Sequence, residues 1–172
     1  MASSRTKPME ILLIEGRRSD ALLVEQALRE METPYRLTVC EDGEQALAYL
    51  RGGETRATAT RPAIILLDLN LPKKGGLAVL AALKDDQALC HIPVIILTDS
   101  RAHTDIAESY RLRASSYVIK PAALEGLSEV VKAIETFWFS VVTLFEEGET
   151  PSAPAREVAR VQRDADAAGH VQ

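Results

Sequence analysis

Two kinds of apolar pattern alternate along the chain. Short unbroken apolar runs are separated by stretches in which apolar residues recur every three to four positions. The first kind predicts buried strands and the second predicts amphipathic helices. Strands are expected at 10–14, 35–40, 63–68, 93–98 and 116–120. "AIILLD" and "PVIILT" are apolar up to their last residue, as suits parallel strands covered on both faces. Behind Ser19, which is expected to cap a helix, Ala21, Val24, Ala27, Leu28 and Met31 share one helical face. Further helices are expected at 43–51, 75–86, 102–112 and from about 123, and "GGETRATATRP" (52–62) reads as a polar loop. Strands alternating with helices imply right-handed crossovers and a doubly wound parallel α/β sheet.

In such sheets ligands bind at the carboxyl ends of the strands. The predicted strand ends carry Glu15, Asp68, Thr98 and Lys120. Each alone reads as a cap or a solvated charge. Together they have a chemical logic: a carboxylate can attack a phosphoryl group, a hydroxyl and an ammonium can bind its oxygens, and paired carboxylates suit a hard divalent cation such as Mg²⁺.

Composition narrows the picture. The 172 residues carry a net charge of -5 and scattered Lys and Arg, which argues against nucleic acid as a partner. Cys40 and Cys90 fall in no metal-ligand spacing and read as free thiols in a reducing compartment. "MASSRTKPME" lacks the apolar core of a secretory signal, and no apolar run is long enough to span a membrane. A cytoplasmic protein without membrane contact is expected.

"LLDLNLPKKGG", "VIILTDS" and "SYVIKP" resemble the receiver domains of two-component response regulators, and the resemblance runs from about Met9 to about Phe139. "SDALLVEQAL", "LLDLNLPKK" and the later "FWFSVVTL" are most similar to stand-alone receivers that partner bacterial phytochrome histidine kinases. The resemblance implies a flavodoxin-like five-stranded sheet of order 2-1-3-4-5 and phosphorylation of Asp68 by a phytochrome-like histidine kinase. It further implies Mg²⁺ on Glu15, Asp68 and the carbonyl of Asn70, phosphoryl binding by Thr98 and Lys120, and a cis bond before Pro121. Thr98 and Tyr117 would form the switch, although Tyr117 reads equally as an amphipathic edge residue.

One departure stands out. The family ends its first strand in two adjacent acids, the second of which ligates the metal directly; here Gly16 follows Glu15. A weakened Mg²⁺ site is expected, with stability less dependent on metal. Gly75, where close relatives carry Asp, reads as a change of turn chemistry. Arg17 and Arg18 either point into solvent or reach back over Gly16 to supply a fixed positive charge.

Three regions are expected: a flexible tail at 1–8, a receiver at 9–147 whose last helix spans about 123–147, and a disordered or frayed tail at 148–172. The helix is longer than the domain needs. Phe137, Trp138, Val141, Val142, Leu144 and Phe145 either form a homodimer interface or fold back on their own domain. The expected function is phosphoryl-accepting signalling without metabolic catalysis; the alternative is a phosphorylation-impaired receiver acting as a constitutive protein-binding adaptor. A haloacid-dehalogenase-type phosphatase would need a second Asp two residues after Asp68, where this chain has Asn70.

Overall fold

The computed structural model describes residues 7–52, 61–144 and 157–160. In chain order the elements are β1 (Met9–Ile14), α1 (Arg18–Leu28), β2 (Tyr35–Cys40), α2 (Gly43–Arg51), β3 (Ile64–Leu67), α3 (Gly76–Asp85), β4 (Val94–Thr98), α4 (His103–Arg111), β5 (Ser116–Ile119), α5 (Leu124–Ile134) and β6 (Glu157–Arg160). All strand pairs are parallel, in the order β5-β4-β3-β1-β2-β6.

The two-residue period of the strands divides the core. Ile11, Leu13, Leu37, Val39, Ile64, Leu66, Ile95 and Leu97 face one layer, with Ala21, Val24, Leu28, Leu127 and Val131 of α1 and α5. Leu12, Ile14, Ile65, Leu67, Val94 and Ile96 face the other, with Ala46, Leu50, Val79, Leu80 and Leu83 of α2 and α3. Burial on both faces explains the unbroken apolar runs.

The order of the first five strands agrees with the sequence, and β6 is an addition. Four residues of the expected frayed tail pair with β2, from Arg36 opposite Glu157 to Val39 opposite Arg160. The Arg160 guanidinium meets the buried carboxylate of Glu25 on α1 at 2.5 Å. "EVAR" has no apolar run, so its pairing depends on the exposed border of β2 and not on its own pattern.

Two helix ends differ from expectation. The α1 N-cap is Arg17, without a side-chain cap; Ser19 lies inside the helix with its hydroxyl toward Asp20. The last helix also stops short of 147. After Ile134 the backbone widens into a π-helical turn, Glu135–Val141, and Val142 is extended. The amide of Val142 donates to the carbonyl of Phe137, five residues back. The wider turn brings Ile134 and Phe139, five residues apart, onto the inward face, and Leu144 is buried beyond the turn. Trp138 and Val142 pack partly against the same core, while Phe137 and Val141 stay exposed. Much of the expected interface thus folds back on its own domain, and Leu144 is unavailable to a partner. Phe145 lies outside the described residues, as do 1–6, 53–60, 146–156 and 161–172.

This register is testable by urea unfolding. Phe139→Ala is expected to cost about 3–5 kcal/mol, the usual range for emptying a buried Phe site, whereas Phe137→Ala should stay within about 0.5 kcal/mol.

Candidate functional site

Backbone pairing carries three side chains to one rim. The Glu15 amide donates to the Cys40 carbonyl (3.0 Å), the Asp68 amide to Ile14 (3.0 Å), and the Lys120 amide to Thr98 (2.7 Å). Each sheet ladder therefore runs one residue past its strand and fixes an acid or an amine there. Behind Asp68, Gly76 lets α3 approach closely: a Cβ there would lie 2.4 Å from the Asp68 carbonyl oxygen.

Lys120 is the centre of the site. Its Nζ donates to Glu15 Oε2 at 2.7 Å, Asp20 Oδ2 at 2.9 Å and Asp68 Oδ2 at 3.4 Å. Glu15, Asp68 and Thr98 are almost fully buried. Burial pushes the Glu15 carboxyl up to about 7, against the opposing hydrogen bonds from Lys120 and the Arg17 amide. Burial is also the largest influence on Lys120 and favours its neutral form. The hydrogen bonds to Glu15 and Asp20, with the charges of Glu15 and Asp68, outweigh it and raise the ammonium pKa.

The expected residues Glu15, Asp68 and Lys120 are brought together. Thr98 lies at the end of β4, where its hydroxyl accepts from the Ser100 amide at 3.5 Å. Tyr117 is half-buried on β5 and donates its hydroxyl to the Ser100 carbonyl at 2.9 Å. Asn70 donates its amide to Asp68 Oδ1 at 3.2 Å and its side-chain nitrogen to Asp99 Oδ1 at 2.8 Å. The expected cis bond before Pro121 is absent: the described residues contain no cis peptide. Proline narrows the trans preference without reversing it. The trans Pro121 packs against Gly126, where a Cβ would come within 2.8 Å of the Pro121 Cβ.

Two acids were missed by sequence reasoning. Asp20 lies in the first turn of α1 and grips Lys120; Asp99 follows the tip of β4. Their signal was positional, since the first turn of a helix after a strand and the residue after a strand tip both lie on the ligand rim. Arg17 does not simply point into solvent: it pairs with rim carboxylates other than Asp68. Its guanidinium is half exposed yet paired, with Nη2 2.6 Å from Asp99 Oδ2 and Nε 3.3 Å from Asp20 Oδ2. The hydrogen bond from Arg17 holds the Asp99 carboxyl below its usual range. Arg18 is exposed.

Gly16 is needed for space and not for a left-handed backbone. A Cβ there would lie 2.6 Å from Pro72 Cδ and 3.3 Å from the Glu41 carbonyl oxygen. As donors for Mg²⁺, the carboxylates of Glu15 and Asp68 with the Asn70 carbonyl fit in kind, being hard oxygens. They fall short in number: among the described residues no group of three His, Cys, Asp or Glu side chains is arranged to hold a metal ion.

A doubly wound parallel sheet with a buried acid, hydroxyl and lysine at its carboxyl rim is the arrangement of a flavodoxin-like receiver fold. Residues 11–132 match the family described as "Response regulator receiver domain", and the chain belongs to that family. It is 39% identical over 144 residues to the response regulator Rcp1 of Synechocystis sp., covering 84% of this chain and 98% of the relative. Among solved structures, the phosphorylated cyanobacterial phytochrome response regulator RcpA has a TM-score of 0.76 and 43% identity, covering 80% of this chain and 99% of its own. The Mn²⁺-bound form of Rcp1 has a TM-score of 0.75 and 40% identity, covering 81% and 100%. The chain is thus a response regulator of a two-component system, homologous to phytochrome response regulators.

The raised Glu15 pKa sets a pH dependence. Between about 4.5, the ordinary glutamate value, and about 7, the folded state holds a proton on Glu15 that the unfolded chain has released. Bound protons then number more in the folded state, so this residue's contribution to stability falls as pH rises through that window. In chelator-containing buffer, urea midpoints of wild type relative to Glu15→Gln should decline from pH 4.5 to pH 7; a constant difference would refute the assignment.

Proposed function

We propose that the chain accepts a phosphoryl group on Asp68 from the phosphohistidine of a phytochrome-like histidine kinase and signals through changed partner contacts in the cytoplasm. The observation that carries this reading is the buried Asp68 carboxylate, within 3.4 Å of the Lys120 ammonium.

An Asp68 oxygen attacks phosphorus, a carboxylate O–P bond forms, and the N–P bond breaks with its electron pair returning to the imidazole nitrogen. Lys120 exchanges part of its carboxylate contacts for a phosphoryl oxygen and offsets the added charge. Thr98 turns its hydroxyl toward the same group. Tyr117, tied to the Ser100 carbonyl two residues beyond Thr98, relays the change to the surface of α4 and β5. Mg²⁺, held weakly by Glu15, Asp68 and the Asn70 carbonyl, would supply charge neutralisation when bound.

For output we infer a homodimer in which Phe137 and Val141, 51% and 67% exposed, form the apolar contact. The second reading, a constitutive adaptor, is favoured by Gly16 alone, because the missing acid leaves the cation site short of a ligand.

Intact-mass measurement after acetyl phosphate treatment tests the main reading. One phosphoryl group added with Mg²⁺, and none in Asp68→Asn, is the expected result. No addition with acetyl phosphate or a kinase would establish the adaptor instead. For the dimer, light scattering should show wild type at twice the monomer mass and Phe137→Ser/Val141→Ser as a monomer with an unchanged urea midpoint.

A further inference from the structure

We propose that Arg17 is a second phosphoryl-binding cation of this site, leaving Asp99 to bind a phosphoryl oxygen once Asp68 is modified. The inference rests on Asp68 being a phosphoryl acceptor.

Four observations carry it. First, Arg17 is anchored to the site by its backbone: its amide donates to Glu15 Oε1 at 3.0 Å. Second, its guanidinium lies beside the lysine. Arg17 Nε and Lys120 Nζ contact the same oxygen, Asp20 Oδ2, at 3.3 and 2.9 Å, and Lys120 reaches Asp68 from there. Third, the guanidinium is parked and not locked. Its side chain and that of Asp99 are 51% and 49% exposed, and exposed ion pairs contribute little to stability, so the pairing is easily given up. Asp99 keeps the Asn70 side chain as a partner after the arginine leaves. A phosphoryl dianion offers the guanidinium a stronger, forked pairing than a solvated carboxylate does.

Fourth, the site has a deficit of positive charge. A phosphoryl group on Asp68 would stand beside Glu15 and Asp20 with Lys120 as the buried cation. Gly16 offers no side chain as a ligand for a divalent cation, and the Cβ clash with Pro72 leaves no room for one without movement. Arg17 follows that glycine directly and supplies a charge that needs no metal.

The test is a time course of labelling by acetyl phosphate, read by intact mass, for wild type, Arg17→Ala, Arg17→Lys and Asp99→Asn, followed by decay of the phosphorylated species after the donor is removed. In the labelling step an Asp68 oxygen bonds to phosphorus and the acetyl O–P bond breaks, its electron pair leaving on acetate. Arg17→Ala should label about tenfold more slowly or worse, with a greater requirement for Mg²⁺. Arg17→Lys, which keeps the charge but not the fork, should recover part of the rate. Asp99→Asn, which frees the arginine, should label at least as fast as wild type. Urea midpoints of all three should match wild type, which separates positioning from folding. Labelled wild type with Arg17→Ala unimpaired or faster overturns this inference alone. Wild type that stays unlabelled with acetyl phosphate and with a kinase overturns the acceptor reading, and this inference with it.

Discussion

The ammonium of Lys120 is shared by three carboxylates that come from different parts of the chain: Glu15 after β1, Asp20 in α1 and Asp68 after β3. Such a cluster is tolerable in a buried rim only because the cation is present, since isolated charges are costly to remove from water. Burial nevertheless acts on Glu15 more strongly than the lysine does and raises its carboxyl pKa. Sheet pairing, the first turn of α1 and the position of β5 all converge on this one nitrogen. The apolar faces of the sheet serve the same end by holding the strand tips in register.

Around that centre, Gly16 contributes no side chain to the rim. Pro72 occupies the space a side chain would need, and Asp20 gives Lys120 a further partner. Asp99, Arg17 and Asn70 form an outer ring that links the loops after β1, β3 and β4.

Much of the fold was legible because strand and helix periods are local. The unbroken apolar runs of β1, β3 and β4, and the face of α1 from Ala21 to Met31, are properties of short windows. Glu15, Asp68, Thr98 and Lys120 were legible because each ends a strand. The rest depends on geometry that no short window holds. Asp20 and Asp99 join the site by convergence across the rim. Past the π-helical turn the chain is extended at Val142, so Leu144, expected at an interface, is instead buried on its own core. β6 forms because β2 has an open border, and its own residues do not announce it.

The two borders of the sheet have a consequence of their own. An open strand border offers unpaired amides and carbonyls to any extended peptide, and unguarded borders invite uncontrolled stacking of chains. On β5 the amide of Tyr117 is taken by the Tyr110 hydroxyl at 3.2 Å. On β2 the border is taken by β6, fastened to α1 through Arg160 and Glu25. The open border thus passes one strand outward from β2 to β6, while on β5 one amide is covered, so what is protected is the pairing edge of β2 and not the rim of the whole sheet.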